Sequence, residues 1–284
     1  MMRVFLLGLL GLARWHTCTA DETPSGYVSM PGGLLMHTSC IHQIGSRASV
    51  EPCLFKSLNT AKNDAAASYY SDWSVYAQTV APTKDGFEYF SSNWTVPSFP
   101  SSHGPAKQSS VYIFNGLEDG RGVHGAASVI LQPVLQYGKS GCNLNPLKWS
   151  EWLLSSYVVD GNGRAHCAEL ISVSPGDVVQ GIMEKAADSN EWTVTSIAPK
   201  GSSVNTVDME DTILDAAYLT LEGMVIYGCS SYPPEGQVTF VENAIKSEKI
   251  GDFSWTEEVR HDECSQGTDF GSDGSVALTW DASL

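Results

Sequence analysis

From residue 69 onward, apolar and polar positions alternate with a period of two, the pattern of strands whose two faces meet different surroundings. Runs of this kind, bounded by Gly, Pro, Asn, Asp or Ser, cover 73–80, 87–96, 110–115, 128–137, 149–159, 168–173, 178–183, 192–198, 217–227, 237–241 and 276–280. Asp160-Gly161-Asn162-Gly163 predicts a hairpin turn, and Ser174-Pro175-Gly176-Asp177 a second tight connection. No stretch sustains a 3.6-residue period, and no internal repeat occurs. The pattern predicts one all-β domain over 67–284, a two-sheet antiparallel β-sandwich.

Residues 21–66 read differently. They carry Gly32-Gly33, a local cysteine pair and little strand periodicity, and 59–68 predicts a short helix or a linker. At this length a short N-terminal extension, either a pro-segment or a clasp, is expected rather than an independent domain. Ahead of it, Arg3, the apolar run 4–13 and the small residues Thr17-Cys18-Thr19-Ala20 have the layout of a signal peptide over 1–20. That apolar run is too short to span a bilayer. A secreted, unanchored chain starting near Asp21 is expected.

Within two of the runs, alternation isolates one large polar residue each. In 128–137, Val129, Leu131, Pro133, Leu135 and Tyr137 form an apolar face, opposite Ser128, Ile130, Gln132, Val134 and Gln136. In 218–227, Leu219, Leu221, Gly223, Val225 and Tyr227 oppose Tyr218, Thr220, Glu222, Met224 and Ile226. One face then suits a core and the other a lined groove, where the Gln132 amide and the Glu222 carboxyl would make a catalytic pair. Alternation alone equally describes solvated outward residues, since half-exposed strands commonly carry polar outer faces. Aromatic residues gather on the same runs and are expected to divide between core and groove.

Seven cysteines are present. Export would remove Cys18 and leave Cys40, Cys53, Cys142, Cys167, Cys229 and Cys264, an even set for an oxidising compartment. Six cysteines permit 15 connectivities; pairing of neighbours (Cys40–Cys53, Cys142–Cys167, Cys229–Cys264) is the expectation adopted. Beyond residue 20 the chain has 14 Lys and Arg against 32 Asp and Glu, a net charge of −18. Nucleic acid and anionic membranes bind through basic clusters, so neither is expected as a partner. So acidic a surface also suits work at low pH, where protonation relieves self-repulsion. Asn93-Trp94-Thr95 is a glycosylation sequon at Asn93.

Several chemistries lack their motifs. There is no G-x-S-x-G elbow, no H-E-x-x-H, no C-x-x-C, no phosphate loop and no Asp-Thr-Gly or Asp-Ser-Gly pair. No cofactor and no metal site are expected, and Asp269-Phe270-Gly271-Ser272-Asp273-Gly274 reads as a turn with too few ligands for calcium. Glu151, in Lys148-Trp149-Ser150-Glu151-Trp152, is a second carboxyl near aromatic residues. Paired with Glu222 it would suit a glycosidase.

The ordered motifs resemble those of the glutamic peptidases (eqolisins). Asp72-Trp73-Ser74 is similar to the family's early tryptophan strand, and 86–97, ending Asn93-Trp94-Thr95-Val96-Pro97, to its Thr-Val-Pro strand end. The stretch Tyr112-Ile113-Phe114-Asn115-Gly116-Leu117-Glu118 resembles the strand entering a Gly-Ile-Asp turn. Ile130-Leu131-Gln132 resembles the Ile-Leu-Gln that holds the catalytic glutamine. Trp149-Ser150-Glu151-Trp152 and 172–177 resemble a Trp-Tyr-Glu-Trp strand and the turn after it. Leu221-Glu222, ahead of Gly236-Gln237-Val238-Thr239-Phe240, resembles the strand of the catalytic glutamate. The likeness spans roughly 69–241 and departs from the family at Gly223 and Phe114, both commonly tryptophan, while Pro133 removes one ladder donor.

The resemblance implies a concanavalin-like jelly roll and a secreted acid endopeptidase acting on polypeptide as a monomer, without metal or cofactor. Glu222 would be the general base and acid, Gln132 the oxyanion donor, and Trp73, Phe114, Trp149, Glu151 and Trp152 the substrate contacts. A polysaccharide-binding or glycan-cleaving sandwich, or an inactive binding module, are the alternatives that the same groove allows.

Overall fold

The computed structural model describes residues 27–30, 34–37, 41–43, 55–57, 70–104, 107–120, 129–159, 165–247 and 253–284. The signal-like segment, Cys40, Cys53, the 59–68 stretch and the Asp160 turn lie outside the described residues. Near the N-terminus are β1 (Tyr27–Met30), β2 (Leu34–His37), β3 (Ile41–Gln43) and β4 (Phe55–Ser57); β1, β2 and β4 form a small antiparallel sheet.

Fifteen further strands follow among the described residues. They are β5 (Tyr70–Val80), β6 (Tyr89–Thr95), β7 (Ser110–Glu118), β8 (Ile130–Tyr137) and β9 (Trp152–Val159). Next come β10 (Ala165–Cys167), β11 (Ile171–Val173), β12 (Val178–Lys185), β13 (Glu191–Ala198) and β14 (Gly201–Asp208). Last are β15 (Ala216–Ile226), β16 (Gln237–Lys246), β17 (Thr256–Val259), β18 (Gly267–Phe270) and β19 (Val276–Thr279). The larger sheet runs β17–β5–β15–β7–β8–β9–β10–β3, with β11 beside β9; the smaller runs β14–β13–β12–β6–β16–β19–β18. Every pairing is antiparallel except β3 on β10. The two sheets pack face to face as a sandwich.

Alternation explains the core between them. Val75, Ile113, Leu131, Leu135, Leu154, Leu219 and Leu221 point from the larger sheet onto Phe90, Trp94, Met183, Trp192 and Phe240 of the smaller. The sheets meet closely at Gly181 of β12. A Cβ there would overlap Asn115 Oδ1 and come within 2.6 Å of the Pro133 Cβ, while Asn115 Nδ2 donates to the Gly181 carbonyl at 3.2 Å.

The sheets differ on their other faces. Strands β12 and β13 alternate buried with exposed or half-buried residues, as a sheet with a solvated outer face must. Strands β8 and β9 are buried at every position. The second face of the larger sheet is therefore covered, where an open groove was expected. A second cluster forms there, comprising Trp73, Tyr76, Tyr112, Phe114, Ile130, Val134, Tyr157, Tyr218 and Met224 with Cys142 and Cys167, and Ile41 of β3 packs against it.

Cys142–Cys167 and Cys229–Cys264 are both bridged, with Cα separations of 6.0 and 5.4 Å. The 174–177 turn has Gly176 at φ 88° and is closed by the Asp177 N–H donating to the Ser174 carbonyl at 3.0 Å. The 269–274 segment joins β18 to β19, with Asp273 Oδ1 accepting from the Ser275 N–H at 3.0 Å. No cluster of three or more His, Cys, Asp or Glu placed to hold a metal occurs among the described residues. No helix among them is long and apolar enough to cross a membrane.

Candidate functional site

Register turns the second face into a grid, because paired residues on neighbouring strands lie side by side. One row crosses five strands as Trp73, Glu222, Tyr112, Gln136 and Leu153. Another contains Tyr76, Thr220, Phe114, Val134 and Ser155. A third carries Gln78, Tyr218, Gly116, Gln132 and Tyr157, Gln132 facing Gly116 by continuation of the regular β7–β8 register. Glu222 and Gln132 thus share a face, as alternation predicts, but stand two rows apart.

Glu222 is fully buried. The β5–β15 ladder slips between Leu221 and Glu222 and again between Gly223 and Ile226. Bulges re-aim side chains and concentrate beside active sites. Within the second slip Val225 has φ 56°, a left-handed value that a β-branched residue adopts at a cost of about 1–3 kcal/mol. Gly223 explains its own departure from tryptophan. A Cβ there would come within 2.5 Å of Ile226 Cγ1 and 2.6 Å of the Tyr232 hydroxyl, which itself hydrogen-bonds Ser74 Oγ at 2.6 Å.

The polar atoms of this face are poorly satisfied. Among the described residues, Gln132 Nε2 and Oε1, Gln136 Nε2, the Tyr112 hydroxyl and Thr220 Oγ1 are buried and make no hydrogen bond of good geometry. Each such group costs about 1–3 kcal/mol relative to a paired one, and native interiors tolerate few. One good bond stands among them: the Tyr157 hydroxyl donates to Gln136 Oε1 at 2.6 Å. Burial, then Tyr157, then Glu222 push the Tyr112 pKa well above its ordinary value; burial does the same to Tyr157. Both phenols stay protonated over the working range.

Aromatic residues wall one side. Trp73 meets Tyr76, Phe114 and Tyr218 edge-on, with centroids 5.2, 5.8 and 5.0 Å apart. Trp73 and Phe114 therefore lie on the face of Glu222. Trp152 does not: it points into the core between the sheets, packs on Tyr137 at 5.2 Å, and its Nε1 donates to the Ser98 carbonyl at 3.4 Å. Odd–even parity on β9 dictates this, since Leu153 takes the other face. Trp149 follows the short 3-10 turn Pro146–Lys148, half-buried, with Nε1 donating to the Asn143 carbonyl at 3.1 Å. Glu151 is exposed and accepts from Ser172 Oγ at 3.3 Å, so it is not gathered with buried Glu222 as a glycosidase pair would be. The Asn93 side chain lies on the outer face of the smaller sheet, where Nδ2 donates to Glu242. Sequence reading missed Tyr112, Tyr157 and Gln136 as site members; only strand register brings them to Glu222.

No family model matches the sequence, and no curated protein matches it. Among solved structures, scytalido-glutamic peptidase with a peptide-based transition-state analogue aligns at a TM-score of 0.52 and 15% identity, over 75% of this chain and 99% of that one. A Bacteroides ovatus glycoside hydrolase family 16 endo-glucanase gives 0.31 at 12% identity, over 59% of this chain and 75% of the other. Toad ovary galectin gives 0.30 at 9%, over 61% and 99%. The first likeness is one of fold: the chain is a concanavalin-like β-sandwich of the architecture found in a glutamic peptidase. The two disulfides among the described residues suit an extracellular protein.

Proposed function

We propose that the protein is a secreted acid endopeptidase of the glutamic-peptidase type. The observation that carries this reading is a fully buried glutamate, bracketed by two register slips, on the same sheet face as two glutamines with unanswered amide donors. Glu222 as carboxylate takes a proton from the water that attacks the scissile carbonyl, then returns it to the departing amine. An amide from β8, for which the motif likeness nominates Gln132, donates to the oxyanion. The aromatic wall of Trp73, Phe114 and Tyr218 offers flat apolar surface for an extended polypeptide. An acidic optimum is expected, because a departing amine is protonated more readily there.

The face is closed in this structure, and Ile41 packs against it from the 21–66 extension. That contact supports a pro-segment role for the extension, with activity following its removal. Denatured casein incubated with the acid-matured protein at about pH 3–4, with an aspartic-peptidase inhibitor present, tests the reading. Inhibitor-resistant cleavage that disappears in Glu222→Ala is the expected result. Intact casein, with the wild-type protein retained on a polysaccharide column, would sink the peptidase reading.

A further inference from the structure

We infer that the loop joining β8 to β9, with Phe99 and Lys107 beside it, is a binding surface for extended polypeptide in which acidic and apolar residues alternate. Its meaning as a distal subsite of Glu222 rests on the peptidase reading; the binding itself does not. Charge points to this end of the molecule first. Beyond residue 20 the chain carries 32 Asp and Glu, yet none falls in 89–117 or 120–150, two stretches that hold Lys107, Arg121, Lys139 and Lys148. The fold brings the three lysines to one loop. Lys107 Nζ donates to Ser150 Oγ at 3.3 Å, and Lys139 Nζ stands 5.8 Å from the ring centre of Trp149, the residue after Lys148. The carboxylates at the rim, Glu151 and Glu235, accept from Ser172 Oγ and from the Ser98 N–H.

Among these lysines the loop displays apolar side chains. Leu147 is 86% exposed and Leu144 55%, while Phe99, its ring 5.9 Å from that of Tyr137, is 44% exposed. The frame beneath them is fixed. Cys142–Cys167 ties the loop to the second cluster, and the buried Asn143 donates from Nδ2 to the Gly138 carbonyl at 3.2 Å. The Asn143 carbonyl accepts from Trp149 Nε1 at 3.1 Å, and Asn145 Oδ1 accepts from the Leu147 N–H at 3.1 Å. Leucines held in water by such a frame mark a contact surface, and the lysines around them select an anionic partner. Position selects polypeptide. The loop enters β9 at Trp152, and the next residue, Leu153, ends the row that contains Glu222. Three strand spacings of about 4.8 Å put Leu153 about 14 Å from Glu222, the span of four or five extended residues. A chain lying along that row runs out over the loop.

The test reads binding first and cleavage second. On the full chain at about pH 6, where Glu side chains are ionised, fluorescence anisotropy follows a labelled peptide of repeated Glu-Leu and its Gln-Leu isostere. The Glu-Leu peptide should bind about tenfold tighter, a gap that closes in high salt. Lys139→Glu with Lys148→Glu should abolish the preference, and Lys139→Arg with Lys148→Arg should keep it. Leu147→Ser should weaken the Glu-Leu peptide about three- to tenfold. Equal binding of the two peptides, or unchanged binding by the charge-reversed protein, overturns the inference. So does capture of wild type by anionic phospholipid vesicles, lost on charge reversal, with no peptide binding, which would assign the surface to lipid. In the acid-matured protein, charge reversal should raise KM and leave kcat unchanged for a substrate with Glu-Leu four or five residues from the cut, about the span from Glu222 to Leu153. A KM that does not move would detach the surface from the Glu222 row. Wild type that binds the Glu-Leu peptide and leaves casein intact would sink the peptidase reading, with the binding surface still standing.

Discussion

The two faces of the larger sheet are cut from the same strands and are equally buried, yet they are built by opposite rules. On the core face, Leu131, Leu135, Ile113, Leu219 and Leu221 interdigitate with the smaller sheet and leave few polar atoms unanswered. On the other face, buried Glu222 sits among aromatic rings beside Tyr112, Gln136, Gln132 and Thr220, each of which carries a polar atom with no hydrogen bond of good geometry among the described residues. One face lowers the energy of the fold. The other gives back part of what its buried aromatic rings contribute, and unanswered polar groups kept together at that cost are expected at functional sites.

The sharpest way to break this contrast is at its centre. Glu222→Gln should reduce casein cleavage about 10²–10⁴-fold, the usual contribution of a positioned acid–base group, without lowering the unfolding midpoint. A comparable fall in Tm would mean that the carboxyl serves the fold instead. Loss of Cys142–Cys167, the bridge packed against the polar face, should cost about 3 kcal/mol in denaturant unfolding by the loop-entropy account.

A cavity opened on one face and a near-isosteric apolar swap on the other should then differ in sign. Leu135→Ala on the core face should cost about 2–5 kcal/mol. Gln132→Leu on the other should be neutral or stabilise by about 1 kcal/mol, since it removes two orphaned polar atoms. Equal losses from both variants would erase the distinction. The smallest effect lies off the sheet. His103 stacks on Tyr137 at 4.9 Å, and its Nε2 meets the Tyr137 hydroxyl at 2.8 Å. Burial, then Lys107, holds the His103 imidazole below its ordinary pKa, and burial pushes Tyr137 up to about 12. The folded protein therefore binds the imidazole proton less readily than the unfolded chain. Its contribution is full above about pH 6.5 and falls away as pH drops through the depressed folded value. His103→Gln should flatten that limb of the stability–pH curve.

The fold was largely legible because alternation is a local property. Runs at 110–115, 178–183 and 192–198 lie on strands, as does 130–137 of the 128–137 run, and parity alone put Gln132 and Glu222 on one face. Strand β14 escaped notice because Gly201-Ser202-Ser203-Val204-Asn205-Thr206 spends its inward positions on Ser203 and Asn205, both buried. Parity says nothing about which residues on different strands share a row; register comes from pairing of residues far apart in the chain, as in Tyr112 with Gln136 and with Glu222. Hence Gln136 and Tyr112 were invisible beside Glu222, and Trp152 was credited to the wrong face. Alternation also cannot tell a polar face turned to water from one covered by other chain.

Gly181 gives the sandwich a fulcrum. Elsewhere large rings fill the space between the sheets, but at Gly181 the backbone comes close to Pro133 across the interface. Pro133 lies between Gln132 and Val134, so any bulk added at Gly181 would press on the middle of β8. Gly181→Ala would act as a wedge, tilting the strand that carries both glutamines from the far side of the molecule. A residue that touches no substrate would in this way set how the site is aimed.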